Sequence, residues 1–370
     1  MPTVLTILGT RPEAVKLAAV VRALQRTDAF CCRVCITGQH RELIEPFLGF
    51  FGIAPDWNLE VMTPDQSLPE LTSAVLTRLQ PVLDEADPHL VIVQGDTTTA
   101  FAAALAAAYR QISIAHVEAG LRSRDRHNPF PEETHRRLID AVSDLLFAPT
   151  EGARKNLLSE GLPADRIWVT GNTAIDAIRM AARHERMAEI ELPLELDPAK
   201  RLVVVTAHRR ESFGADLANI CDALKRLASD RNDVDIVYPV HLNPHVRGPV
   251  HERLGGIAQL HLIDPLPYLE FVKLLSRAHL VLTDSGGIQE EAPALGVPVL
   301  VMRRTTERPE LMEAGAGRLI GTDVEGIVQA THRVLDDPDD HDRMVKASNP
   351  FGDGRSAERI VAILEGAVAP

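Results

Sequence analysis

Acids in the first half of the chain stand where a buried strand hands over to a loop, or where a Pro-rich loop hands over to a helix. VIVQGDTTTA carries Asp96 to the end of a β-rich run, ahead of three threonines and an Ala-rich stretch. SIAHVEAG does the same for Glu118, and PFPEETHRR sets Glu132 and Glu133 at a helix start. Carboxylates brought together on the ligand side of one sheet can have their pKa values split, so that one acts as acid and another as base. Asp96 also has a plain structural reading as a helix cap, and Glu132 and Glu133 as partners of a helix dipole.

A second set of residues suits an anion. In LGTRPEAVK a strand ends in Gly9, Pro12 fits the first turn of the next helix, and Arg11 and Lys16 supply a fork and a point charge for a phosphate. VVVTAHRRESFG puts His208, Arg209 and Arg210 after a strand, as phosphate or leaving-group contacts. YPVHLNPHV adds His241 and Asn243, for which turn formation before Pro244 is the competing role. In HLVLTDSGGIQEEAPALGVPVLVM, Gly286 and Gly287 let backbone amides approach phosphate oxygens, Ser285 adds a hydroxyl, and Glu291 stands where it can accept from ribose hydroxyls. A tight turn with a solvated acid is the alternative. MRRTTERPELMEAG supplies Arg303, Arg304 and Arg308.

These residues need a scaffold that presents strand ends. Short β-rich runs alternate with helical stretches throughout, the pattern of a parallel sheet covered on both faces. TVLTIL, RVCITG, LVIVQGD, SIAHVEA, LLFAP and IWVTG are the strands expected in the first half; RLVVVTAH, DIVYPVH, AQLHLID, HLVLTDS, VPVLVM and GRLIG are those expected in the second. Between them AARHERMAEIELPLELDPAKR reads as a charged helix-like segment running into a linker. We therefore expect an α/β chain of two domains: 1–170 with the acids, 171–355 with the linker and nucleotide residues, and a closing helix in 356–370 that packs back on the first domain. Such sheets take ligands beyond the carboxyl ends of their strands.

Composition narrows the partners. At 370 residues the chain exceeds one ordinary core. A formal net charge of −13 argues against a general nucleic-acid surface, so an anionic ligand must be held locally. Cys31, Cys32, Cys35 and Cys221 lack the spacing of a disulfide framework, and Cys32 and Cys35 sit in a strand-like run, which favours plain buried or edge thiols in a reducing compartment. MPTVLTILGTRPE has no basic region ahead of its apolar run, and no stretch approaches the ~18 to 20 apolar residues of a membrane span, so neither a leader nor a membrane partner is expected and the cytosol is the expected location.

GTRPE, GQHRE, QGDTTT, HVEAG, PFPEE, TGNT, AHRRES, YPVHLNP, TDSGGIQEEAP and TTERPE occur in this order, and with them the chain resembles the non-hydrolysing UDP-N-acetylglucosamine 2-epimerase family over nearly its whole length. The resemblance implies a glycosyltransferase-B-type architecture, two Rossmann-like domains facing a cleft, and a homodimer. It implies Asp96, Glu118, Glu132 and His208 as catalytic residues. It implies UDP contacts from Arg11, Lys16, Phe271, Ser285, Gly287, Glu291 and Arg308. The implied reaction removes the C2 proton as UDP leaves C1, passes through 2-acetamidoglucal and re-adds UDP, with no metal or redox cofactor. PFPEE continues into Thr134, His135 and Arg136, where the family usually has an apolar residue, Asn and Arg. Three other readings share many of these features: a hydrolysing relative that releases free N-acetylmannosamine, an epimerase of a modified UDP-2-acetamido sugar, and a UDP-sugar glycosyltransferase.

Overall fold

The computed structural model describes residues 1–38, 41–63, 65–127 and 129–367, apart from the side chains of residues 41–43. Gln39 and His40 of the GQHRE motif lie outside the described residues. The chain forms two compact units, one of Met1–Ala177 with the C-terminal stretch from Phe351, the other of Ile178–Pro350.

The first unit holds strands β1 (Thr3–Leu8), β2 (Cys31–Ile36), β3 (Trp57–Asn58), β4 (Leu90–Gln94), β5 (Ser113–Val117), β6 (Leu145–Ala148) and β7 (Ile167–Val169). They lie in the order β3-β2-β1-β4-β5-β6-β7, every neighbour parallel. The second unit holds β8 (Arg201–Thr206), β9 (Val234–Pro239), β10 (Leu260–Ile263), β11 (Leu280–Thr283), β12 (Val299–Val301) and β13 (Gly317–Leu319), parallel in the order β10-β9-β8-β11-β12-β13. In both sheets the chain builds outward to one side and then returns to build the other. The reversal leaves a crevice at the carboxyl ends of β1 and β4 in one sheet and of β8 and β11 in the other.

Local sequence explains the layering. All five positions of β4, LVIVQ, are buried, as a strand covered on both faces requires. The helix Thr98–Tyr109, TTAFAAALAAAY, combines strong helix formers with side chains small enough to let it pack closely on the helices Leu68–Ala86 and Glu132–Val142. The two-residue β3 had no periodic signal; it exists because Trp57 and Asn58 pair with Cys35 and Ile36. The charged segment expected to be helical is an α-helix only to Arg183, followed by a short 3-10 stretch, Glu185–Glu189. The helix Ser356–Ala367 buries Ile360 and Leu364 and packs beside the helix Arg11–Leu24 of the same unit, where Thr27 donates to Glu365 at 2.7 Å.

The C-x-x-C cysteines lie on β2, three residues apart and so on opposite faces of the strand. All four cysteines are free, and burial pushes the Cys32 and Cys35 thiols up to about 12, away from redox reactivity. Among the described residues no helix is long and apolar enough to cross a membrane.

Candidate active site

The loops after β1, β4 and β5 and the helix Glu132–Val142 hold the acids of the first unit. Gly9, directly after β1, lies so close to the start of the helix Thr98–Tyr109 that a Cβ there would lie 2.5 Å from the Thr99 side chain; only glycine allows this approach. After β4, Asp96 precedes Thr97, which caps the following helix by accepting from Ala100 N at 3.0 Å. The capping role considered for Asp96 therefore belongs to Thr97. Asp96 is instead ion-paired with Arg136, and its carbonyl lies 3.1 Å from His135 Nδ1. His135 also stacks on Phe101, ring centroids 5.0 Å apart, and burial lowers its imidazole pKa.

Glu118 follows β5 with φ at +71°, a left-handed backbone that a non-glycine residue adopts only when its surroundings hold it there. Its carboxylate receives the Lys16 ammonium and the Gln94 amide. Lys16, expected to reach a phosphate, is thus engaged by an acid of its own unit, while Arg11 is exposed at the start of its helix. Glu132 opens its helix with Oε2 buried and without a hydrogen-bond partner in the protein. One turn on, Arg136 bridges Asp96 and the fully buried Glu133 at 2.8 Å, so residues four apart on one helix face bring Glu132 and the Asp96 contact together.

Two supports lie outside the sequence-based candidates. Glu13 is buried and accepts from Gly9 N, from Thr10 N at 2.8 Å and from the Thr97 hydroxyl, tying the loop after β1 to the loop after β4. Burial raises its pKa to about 7, with the nearby Asp96 charge adding to the effect. The signal was available: Thr10-Arg11-Pro12-Glu13 has the T-x-x-E spacing of a capping box. His116, also buried, sits 2.6 Å from Asp140 through Nδ1 and 2.8 Å from the Gly95 carbonyl through Nε2. Asp140 in turn accepts from Gly120 N at 3.2 Å and pairs with Arg122 at 2.7 Å, so one network braces the turns around Asp96 and Glu118.

In the second unit the organising residue is Asp284, fully buried at the end of β11 and absent from the sequence-based candidates. Its Oδ2 accepts from His208 N and Arg209 N, both at 2.9 Å, and from the Ser212 hydroxyl at 3.3 Å, pinning the loop after β8 across the sheet's reversal point. Its Oδ1 lies 3.7 Å from His208 Nδ1. Burial lowers the His208 pKa against the pull of Asp284, and the ring stacks on His241, 5.5 Å away between centroids. Ser285 N donates to Thr283 Oγ1 at 2.9 Å, and Gly286 and Gly287 open the helix Gly286–Ala294. A Cβ on Gly286 would stand 3.0 Å from Arg308 Cζ and 3.1 Å from Arg209 Nη2, so these two candidates do meet the helix start. Glu291 is half-buried farther along this helix, and Phe271 is half-buried in the first turn of Tyr268–Ser276, after β10. Arg304, by contrast, is exposed and pairs with Asp216 at 3.0 Å. Among the described residues no group of three or more His, Cys, Asp or Glu side chains is arranged to hold a metal ion.

A model of the family described as UDP-N-acetylglucosamine 2-epimerase matches residues 22–365. The chain belongs to that family. By family it is an epimerase, an isomerase, and its two Rossmann-like units have the expected glycosyltransferase-B-type fold. The UDP-N-acetylglucosamine 2-epimerase of Escherichia coli K12 is 49% identical over 369 residues, 98% of each chain. A Neisseria meningitidis UDP-GlcNAc 2-epimerase solved bound to UDP-GlcNAc is 43% identical with a TM-score of 0.86, covering 98% of this chain and 99% of that one. The Methanocaldococcus jannaschii epimerase in complex with UDP-GlcNAc and UDP is 36% identical with a TM-score of 0.75, over 98% and 99%.

Proposed function

We propose that this epimerase interconverts UDP-N-acetylglucosamine and UDP-N-acetylmannosamine by eliminating UDP and adding it back, without net hydrolysis. The observation that carries the reading is the set of acids in one unit: Asp96 and Glu118 at the ends of adjacent strands, and Glu132 one helical turn from the arginine that grips Asp96. Inversion at C2 needs a base on one face of the carbon and an acid on the other. In the forward step a carboxylate takes the C2 proton, the C–H electron pair becomes the C1–C2 double bond, and the C1–O pair leaves with UDP. Re-addition of UDP to C1 then delivers a proton to the opposite face of C2. The ledger of electrons and protons closes without a redox partner. Glu132 Oε2, buried without a partner, is suited to exchange a proton with carbon.

His208, Arg209 and Arg308, with the Gly286 and Gly287 amides and Ser285, are assigned to the diphosphate, where positive charge stabilises a departing anion. Glu291 is assigned to the ribose and Phe271 to the uracil; Arg11 and Lys16 are assigned to the phosphates, Lys16 exchanging its Glu118 contact for substrate. Incubation with UDP-N-acetylglucosamine followed by phosphorus and proton NMR tests the reading. Two interconverting nucleotide sugars are expected. Accumulating UDP with free N-acetylmannosamine would make the enzyme hydrolytic, and turnover only with an added sugar acceptor would make it a glycosyltransferase.

We also assign a homodimer in the cytosol. Tyr109, Leu138 and Val142 are exposed apolar residues on the adjacent helices Thr98–Tyr109 and Glu132–Val142, and such a patch suits a self-complementary interface. Sedimentation at micromolar concentration should give twice the chain mass; a monomer would remove this assignment. Four unpaired thiols fit a reducing compartment.

A further inference from the structure

Three arginines of the second unit converge on one carboxylate. Glu307 Oε2 lies 2.5 Å from Arg303 Nη1, and Oε1 lies 3.1 Å from Arg308 Nη1 and 3.3 Å from Arg209 Nη2. Arg209 follows β8, while Arg303 and Arg308 follow β12. Arg209, Arg308 and Glu307 meet at the start of the helix Gly286–Ala294, since a Cβ on Gly286 would stand 3.1 Å from Glu307 Oε1 as well as beside both arginines, and Arg303 joins them through Glu307. The carboxylate therefore occupies the point on which three guanidinium groups and a helix N-terminus focus positive potential.

Removal of this acid would not scatter the arginines. Arg303 keeps Glu211 at 2.7 Å, Arg308 keeps Glu290 at 2.8 Å, and the Arg209 backbone is fixed to Asp284. The loop also has its own brace, Thr306 Oγ1 donating to Gln289 Oε1 at 2.7 Å. Glu307 itself is 41% exposed, with room to swing into solvent. A diphosphate offers more charge and more acceptor oxygens to the same donors than one carboxylate can.

We propose that Glu307 is an internal occupant of the diphosphate subsite, a carboxylate that neutralises Arg209, Arg303 and Arg308 in the empty enzyme and is displaced when the nucleotide diphosphate binds. This rests on the nucleotide reading above. The competition lowers affinity for UDP, which suits an enzyme that must both release and recapture UDP.

Calorimetric titration of the whole protein with inorganic pyrophosphate, UDP and uridine, on wild type, Glu307→Gln and Glu307→Asp, tests it. Glu307→Gln should bind pyrophosphate and UDP about tenfold more tightly, or ~1.4 kcal/mol. The gain should shrink as salt rises from about 0.05 to about 0.5 M, because screening weakens the charge that was removed. Uridine binding should not change, and Glu307→Asp should stay near wild type. Unchanged or weaker binding of pyrophosphate and UDP to Glu307→Gln overturns the proposal and makes Glu307 a brace. If wild type binds pyrophosphate but not UDP, the nucleotide reading fails, and the pyrophosphate arm still decides the role of Glu307.

Discussion

Arg136 holds Asp96 with one arm of its guanidinium and Glu133 with the other, the second contact at 2.8 Å. Arg136→Lys keeps the charge but loses the fork, so turnover should fall by roughly tenfold to a hundredfold as Asp96 loses its fixed position. Arg136→Met should also destabilise the fold by about 3 kcal/mol, because it removes the main cation from a carboxylate that is fully buried. Chemical denaturation and steady-state kinetics on both variants separate the two effects.

The three acids themselves should be required for chemistry and dispensable for folding. Asp96→Asn, Glu118→Gln and Glu132→Gln should each lower turnover by about a hundredfold or more, with melting temperatures near wild type. Normal rates in all three would reduce them to loop and helix fittings.

Glu13 makes stability depend on pH. Its folded pKa, about 7, exceeds the ordinary value of 4.5, so the folded chain holds this proton where the unfolded chain has lost it. The stability it contributes is complete below about 4.5 and is lost as pH rises through 7, a fall of up to about 3 kcal/mol from this group. Glu13→Gln can still accept from the Gly9 and Thr10 amides through its oxygen, and should flatten that part of the melting profile. A profile between pH 4.5 and 8 that the substitution leaves unchanged would contradict the assignment.

Much of this arrangement is legible in the chain itself. All twelve expected strands form, because each is a short, mostly apolar run bounded by turn residues, long enough for a buried strand and too short for a helix. Asp96, Glu118 and His208 could be singled out because a polar residue directly after such a run must emerge at the carboxyl edge of the sheet. Residues that act from within were harder to see. Asp284 stands beside the more suggestive Ser285-Gly286-Gly287 and carries no local signal of its role, although its contacts hold the backbone of the His208 loop. Glu13 and the His116–Asp140 pair depend on which strands lie adjacent, and the order β1-β4-β5 is a tertiary fact with no local imprint. The Lys16 contact with Glu118 spans 102 positions and could not be read from spacing.

Gly286→Ala probes the nucleotide end of the account. The added methyl would meet the far ends of Arg209, Arg308 and Glu307 at 3.0 to 3.1 Å, groups that can move aside, and the backbone there has no left-handed φ. Stability should change by less than about 1 kcal/mol, while UDP affinity falls about tenfold as the arginines are pushed off the helix start. Calorimetry on UDP with a parallel melting curve checks both halves.

Epimerisation proceeds by loss of the C2 proton as UDP leaves C1. UDP-N-acetylglucosamine incubated with the protein in deuterated water, followed by proton NMR, tests this directly. A mixture of C2 epimers is expected, both nucleotide-linked, whose H2 signals disappear as deuterium enters at C2. Epimers that form with H2 fully retained would contradict this route.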